Sequence, residues 1–223
     1  MSLEVGLLVL ETVLLVFTIL LLIFSIKEGR GRKSLLLEVE RSTKVLTREE
    51  YFLTIMDSLA DSNKEVIGTI TGRFPSDEDR SRIKNLISAI EKLSTEGVKI
   101  IYLLPKFPDR LHVGYLYTKA GAEIRYTDCS MVHDLRYMIV DRKVVIIGVP
   151  ESIGEKEATR KGYKIPSEAL AHILYENFHS CLENSVSFEE FLKEVIKQTG
   201  ASTKILAKEL QLEEEWIKKY LSS

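Results

Sequence analysis

Hydrophobic and polar positions divide this chain into one long apolar run and a following region where short apolar and amphipathic segments alternate. The run spans residues 5–26 and contains a single charged side chain, Glu11. An α-helix of that length extends about 33 Å at ~1.5 Å per residue, which is enough to cross the hydrocarbon core of a bilayer. The pattern therefore predicts a transmembrane helix over residues 5–26.

The residues that flank this run predict its orientation. Lys27, Arg30, Arg32 and Lys33 follow it closely, and no lysine or arginine precedes it. Because positive side chains stay on the cytoplasmic side of a membrane, we expect a single-pass anchor with the rest of the chain in the cytoplasm. A cleaved signal peptide fits less well, since no small-x-small cleavage pattern follows the run. Residues 1–33 thus form the predicted anchor and its basic linker.

Between residues 34 and 185, strand-like and helix-like segments alternate. Short apolar segments predict strands over residues 34–40, 65–71, 98–104 and 122–127. Apolar side chains repeated every three to four positions predict helices over residues 47–59, 76–97, 108–120 and 166–182. Strands separated by helices indicate an α/β domain with a mixed, mostly parallel sheet covered on both faces.

The last part of the chain, residues 186–223, predicts three small helices. Ser187 and Glu190 form a capping box ahead of the first amphipathic segment, and shorter helices are predicted over residues 202–210 and 213–221. We expect these residues to form a small helical appendage to the sheet domain.

A β-hairpin is predicted near the middle of the chain, with arms at residues 134–141 and 143–147. Its first arm is almost continuously apolar, which is typical of a strand buried on both faces. The ends of that arm nevertheless carry His133, Asp134, Arg136 and Asp141. Ionisable side chains at the end of a buried strand are typical of a functional site, although an ordinary hairpin with solvated charges has the same local pattern.

Composition narrows the possible functions only slightly. The chain has 31 basic and 33 acidic side chains and a pI near 6.2, so no overall positive field indicates a nucleic-acid partner. Cys129 and Cys181 are far apart and lack metal-site spacing. We therefore expect free thiols in a reducing compartment, no metal site and no cofactor.

The order of the predicted elements, with GAEIRYTD leading into DLRYMIVDRKVVIIG, resembles the phospholipase D-like (HKD) superfamily. The segment ILYENFHSC at residues 173–181 is similar to the helix that closes that fold. The resemblance covers about residues 45–185. It implies a phospholipase D-like sheet, a homodimer, and a site on the hairpin that carries His-x-Lys-x4-Asp followed by Gly-Ser-x-Asn.

Alignment on Asp141 places the family's lysine on Arg136 and its histidine on Asp134, while the downstream serine and asparagine fall on Val149 and Glu151. In the family the histidine attacks phosphorus and forms a phosphohistidine. Since Asp134 replaces it, the resemblance implies a degenerate site. Arg136 keeps the planar fork that suits phosphate or carboxylate, so the expected role is ligand binding at Asp134, Arg136, Asp141, His133 and Glu151.

His133 is the histidine nearest to this motif, but the hairpin prediction points it away. Side chains alternate along a strand, so residues 134 and 136 share a face and residue 133 does not. We also expect Asp134 to form an ion pair with Arg136 rather than to attack phosphorus itself. A redirected His133 or a nucleophilic Asp134 would instead make an active phosphodiesterase of the nuclease or phospholipase type, and this alternative stays open.

Two further segments bear on function. Residues 149–165 are predicted as a long connection after the site strand, which is either a covering loop with Arg160, Lys161 and Lys164 or a solvated surface loop. The tail, TKILAKELQLEEEWIKKYL, resembles a helix-turn-helix, but the three glutamates at 213–215 occupy the start of the helix that would meet DNA. We therefore expect a protein-contact or domain-closing role for Trp216 and Ile217.

The main prediction is a membrane-anchored cytosolic phospholipase D-like module that binds a phosphate-bearing ligand or a protein partner. A membrane-bound transcription regulator, in which the tail binds DNA, is the second alternative.

Overall fold

The computed structural model describes residues 43–73, 77–150 and 159–221 of the chain. The predicted transmembrane helix, the strand predicted over residues 34–40 and the candidate site residue Glu151 lie outside these ranges. Within them, no helix is both long enough and apolar enough to cross a bilayer. Residues Thr43–Ser223 form one compact unit.

One sheet of eight strands, counted over the described residues, organises this unit. In chain order the strands are β1 Lys44–Thr47, β2 Glu65–Thr69, β3 Lys99–Pro105, β4 Glu123–Thr127, β5 Arg136–Val140, β6 Val144–Pro150, β7 Thr159–Ile165 and β8 Val186–Ser187. They lie side by side in the order β1-β7-β6-β5-β2-β3-β4-β8. The predicted mixed sheet is confirmed.

The prediction that this sheet is mostly parallel was wrong. Only the pairs β2–β3 and β3–β4 are parallel. The other five pairs are antiparallel, because the β5–β6 hairpin continues into β7, which pairs with β1, and because β5 also runs antiparallel to β2.

Helices cover both faces of the sheet. They are α1 Arg48–Ala60, α2 Asp77–Thr95, a 3-10 turn Pro108–Arg110, α3 Leu111–Lys119, α4 Ser130–Asp134, α5 Glu168–Glu183, α6 Phe188–Thr199, α7 Thr203–Glu209 and α8 Glu214–Leu221. On one face, Leu59 of α1, Ile90 of α2 and Tyr117 of α3 share the main hydrophobic core with β3. On the other face, the Tyr137 hydroxyl of β5 donates to the Leu174 carbonyl of α5 at 3.4 Å.

Capping boxes begin two of the helices, and the one predicted at Ser187 is confirmed. The hydroxyl of Thr47 accepts from the backbone N–H of Glu50, whose carboxylate accepts in return from the Thr47 N–H, and α1 begins there. Ser187 and Glu190 make the same reciprocal pair at the start of α6. Each pair satisfies two backbone donors that a helix start would otherwise leave open.

Several elements differ from the sequence prediction, among them the strands β1 and β8, which it did not include. Residues 130–134 form the short helix α4, so the first arm of the hairpin begins at Arg136 instead of Asp134. The connection predicted over residues 149–165 contains the end of β6 and all of β7, whose Gly162 and Ile165 are buried in pairing with β6. Its middle, residues 151–158, lies outside the described residues.

The prediction of free thiols was also wrong. Cys129, directly before α4, forms a disulfide with Cys181 of α5, with the two Cα atoms 5.7 Å apart. The bond fastens the start of α4 to the helix that covers one face of the sheet. Sequence spacing could not show this, because the two cysteines lie 52 positions apart.

The tail helices pack on the sheet domain. Trp216 of α8 contacts the ring of Tyr115 in α3 with centroids 4.6 Å apart, and that of Phe188 in α6 at 5.2 Å. Ile217 is fully buried. These contacts fit the domain-closing role expected for the apolar face of the tail, while its start at residue 186 stays a prediction.

Candidate functional site

The candidate site lies at the edge of the sheet where the parallel strands end, which we call the upper edge. Thr69, Pro105 and Thr127 are the last residues of β2, β3 and β4, and Arg136 begins β5 at the same edge. Ligands of open α/β sheets bind outside the carboxyl ends of their parallel strands. The predicted residues His133, Asp134 and Arg136 therefore lie where the fold favours a site.

His133 belongs to α4 and not to a strand, so the alternation argument that turned it away from Arg136 does not apply. Its side chain is exposed, and its ring stands edge-on to the ring of Phe107, with centroids 5.4 Å apart and planes at 70°. The imidazole thus packs on the β3–α3 connection.

Asp134 ends α4 and is exposed. The predicted ion pair between Asp134 and Arg136 was wrong: within the described residues, the two side chains form none. The reason is the change from helix to strand at Leu135, which separates the directions of the two neighbouring side chains. The carboxylate therefore faces solvent at the upper edge.

Arg136 is half-buried and lies on the face of the sheet that α1 covers, as does Met138 two positions later in β5. Its positive charge is close enough to act on the Tyr51 hydroxyl of α1. Burial raises the pKa of Tyr51 to about 12, and the charge of Arg136 opposes this rise more weakly. The phenol therefore stays protonated at neutral pH and can donate a hydrogen bond.

Two glycines continue the row of Arg136 across the sheet. Arg136 pairs with Gly148 of β6, and Gly148 pairs with Gly162 of β7, so all three positions point to the α1 face. A methyl group on Gly162 would come within 2.2 Å of Cδ2 of Tyr51. The missing side chain is what lets the Tyr51 ring lie against β7, next to Arg136.

Asp141 lies at the opposite end of β5, roughly 16 Å from Arg136 at ~3.3 Å per residue. Its carboxylate accepts from the backbone N–H groups of Asn63, Lys64 and Glu65 at 2.9, 2.9 and 3.0 Å. Burial tends to raise the pKa of Asp141, but these hydrogen bonds more than offset that tendency and hold it below its usual value. Asp141 therefore fastens the start of β2 to the β5–β6 turn and does not reach the upper edge.

Two residues that shape the upper edge, Thr69 and Arg110, were not predicted from the sequence. The Thr69 hydroxyl donates to the Leu135 carbonyl and accepts from the Tyr137 N–H, which fixes the junction between α4 and β5. Arg110, only 6% exposed, pairs with Asp109 at 3.1 Å and lies 5.6 Å from the centroid of Phe107. A helix was predicted over residues 108–120, but its apolar pattern gave no sign that Arg110 would be buried.

No group of three or more histidine, cysteine or acidic side chains that could hold a metal ion occurs in the described part of the chain. Of the predicted ligand-binding residues, the structure brings His133, Asp134 and Arg136 to one edge on two different elements. It places Asp141 elsewhere.

Comparison with known proteins identifies the architecture. Nuc from Salmonella typhimurium, a phospholipase D family member, is similar in structure with a TM-score of 0.51 and 14% identity, over 66% of this chain and 97% of Nuc. NucT from Helicobacter pylori is similar with a TM-score of 0.50 and 13% identity, over 65% of this chain and 98% of NucT. No protein-family model and no characterised protein sequence matches the chain. The described domain has a phospholipase D-like fold.

Proposed function

We propose that this protein is a phospholipase D-like binding module that holds an anionic, phosphate-bearing ligand at the upper edge of its sheet without hydrolysing it. The observation that supports this most directly is Arg136, a half-buried cation at the start of β5 with the protonated Tyr51 hydroxyl nearby. A guanidinium forms two parallel hydrogen bonds to a phosphate, and a phenol adds a third donor.

The absence of hydrolysis follows from the groups available for proton and phosphoryl transfer. Transfer through a phosphohistidine requires a neutral imidazole beside the bound phosphate and a second acid for the leaving group. Position 134, aligned with that imidazole, holds an exposed carboxylate, which repels a phosphate and cannot protonate a leaving group while ionised. The His133 ring packs edge-on against Phe107.

The proposal includes the predicted anchor. Residues 5–26 would hold the module in a membrane, and the basic residues that follow would place the described domain on the cytoplasmic side, close to anionic headgroups. We also propose a homodimer, which so far rests on the family resemblance. A protein partner at the upper edge, instead of a small ligand, is the alternative within the same function.

Calorimetric titration of the full-length chain in neutral-lipid nanodiscs with inorganic phosphate and pyrophosphate tests the binding. Loss of a charge-assisted hydrogen-bond pair costs about 1.5–3 kcal/mol, so Arg136→Gln should weaken binding by roughly 10- to 100-fold. Lys143→Gln removes an exposed cation at the other end of the hairpin and should change the Kd by less than about twofold. Equal losses in both variants would contradict a site at Arg136.

An assay of bis-4-nitrophenyl phosphate hydrolysis by the same preparation tests the proposed lack of catalytic activity. For both the unmodified chain and His133→Ala, we expect the substrate to be hydrolysed no faster than in buffer without protein. Turnover that disappears in Arg136→Gln or His133→Ala would overturn the proposal in favour of an active phosphodiesterase. A salt-dependent shift of duplex DNA that is lost on removal of residues 186–223 would instead favour a transcription regulator.

A further inference from the structure

A separate cavity lies between helices α2 and α3, and none of the candidate site residues lines it. Ile83 and Ile87 of α2 and Leu116 of α3 give it an apolar floor. Its volume is about 250 Å³, just below the ~300–1,000 Å³ that is common for small-molecule sites. A space of this size admits a small molecule.

The rim of the cavity is positively charged. Arg80 and Lys84 stand one turn apart on α2, and His112 stands one turn before Leu116 on α3. Residues four apart share a face of a helix, so both helices present a basic or polar nitrogen group beside the apolar floor. None of the described residues that line the cavity is acidic. The arrangement complements a molecule with one apolar part and one negative part.

The third wall comes from the tail. Gln211, in the turn between α7 and α8, lines the cavity with its backbone in the left-handed region at φ 53°. Glycine would occupy that conformation without strain, whereas any other side chain there costs roughly 1 kcal/mol. The position therefore holds an amide that can donate and accept at the mouth of the cavity, at some cost in stability.

One hydrogen bond joins this turn to the sheet domain directly at the cavity. Nδ1 of His112 lies 3.0 Å from the carbonyl oxygen of Leu210. A carbonyl oxygen only accepts, so Nδ1 is the nitrogen that carries the proton in this contact. A molecule in the cavity would thus touch α2, α3 and the α7–α8 turn together.

We propose that this cavity binds a small amphipathic anion, an aryl or short alkyl group that carries a phosphate or phosphonate, and that the bound anion fastens the α7–α8 turn to α2 and α3. The apolar group lies on the isoleucine and leucine floor. The anionic group contacts Arg80 and Lys84, and the Gln211 amide closes the mouth. This site is independent of ligand binding at Arg136.

Phenylphosphonate is a suitable probe. Inorganic phosphate, which resembles its anionic group, and phenol, which resembles its apolar group, are the two control ligands. We expect phenylphosphonate to bind the full-length chain saturably, and phosphate and phenol each to bind this site at least tenfold more weakly. Hydrogen exchange should slow for backbone amides of residues 203–217. Inorganic phosphate that protects these amides equally well would overturn the proposal, because the apolar floor would then play no part.

Matched lysine variants locate the binding. Lys84→Gln should weaken phenylphosphonate binding at least fivefold, whereas Lys92→Gln, which removes an exposed lysine two turns further along the same helix, should leave the Kd within twofold. Gln211→Gly should fold at least as stably as the unmodified chain and still lose affinity. Arg136→Gln should retain the protection at residues 203–217, which separates this site from the upper edge. Equal affinity in Lys84→Gln and Lys92→Gln would contradict the proposal.

Discussion

Asp141 offers the sharpest test of which motif positions serve the fold and which serve the site. The family resemblance made it a site residue, but the structure gives it three backbone hydrogen bonds to the start of β2. It also occupies the left-handed region at φ 49° in the β5–β6 turn. Substitutions at this position should therefore lower stability and leave the upper edge intact.

The expected loss of folding stability has two parts. Asn63 and Lys64 are exposed, so water can replace the carboxylate at their N–H groups, but the N–H of Glu65 is partly buried and would lose its partner. Leaving a buried donor open costs about 1–3 kcal/mol. Aspartate already bears part of the strain of this left-handed backbone, so alanine adds at most about 1 kcal/mol, whereas glycine relieves at most about 1 kcal/mol. Asp141→Ala should thus cost about 1–4 kcal/mol and Asp141→Gly about 0–3 kcal/mol.

Thermal unfolding of the full-length chain in a mild detergent, followed by the fluorescence of the single tryptophan Trp216, measures this difference. Each kcal/mol corresponds to roughly 2–4 °C in Tm for a protein of this size. The order of Tm should be unmodified, Asp141→Gly, Asp141→Ala. A variant with unchanged Tm and abolished phosphate binding would refute this reasoning and return Asp141 to the ligand site.

Three further outcomes follow from particular contacts. Alkylation of the unfolded, unreduced protein should find no free thiol at Cys129 or Cys181, and reduction should cost about 4 kcal/mol by the chain-entropy relation for a 52-residue separation. Gly162→Ala should cost about 1–3 kcal/mol through the clash with Tyr51, and a double variant that also carries Tyr51→Leu should recover part of the Tm, showing coupling between the two positions. Because the folded pKa of Asp141 is lowered, its stabilising effect is present above the unfolded pKa and fades as the pH falls, so the Tm gap between the unmodified chain and Asp141→Asn should close below about pH 4.

The longer helices of the domain were predictable because they have local causes. Thr47 and Ser187 cap helices through residues three positions away, and the apolar stripe of α2 repeats with the period of a helix. The buried strands β2 and β3 were equally predictable, since a short apolar segment between turn residues is typical of a buried strand. For these elements the signal lies within a dozen neighbouring residues.

The elements that the sequence did not predict depend on distant partners. β7 reads TRKGYKI, which is mostly polar, and it becomes a strand because β1 and β6 supply partners on its two sides. The carboxylate of Asp141 bonds to backbone groups more than 70 positions away. The short helix α4 lacks a side-chain cap, and a disulfide fastens its start to α5. None of these contacts leaves a local pattern.

The short helix α4 also determines how the candidate site residues are positioned relative to one another. Had residues 134 and 136 shared one strand, their side chains would have lain on the same face of the sheet. Instead the chain changes from helix to strand at Leu135, where the Thr69 hydroxyl holds the carbonyl, so residues 133 and 134 are positioned by α4 and Arg136 by the sheet. A nucleophile and a phosphate-binding cation must approach the same phosphorus atom within about 3–3.5 Å. Two side chains on separately anchored elements, one exposed and one half-buried against α1, suit binding better than group transfer.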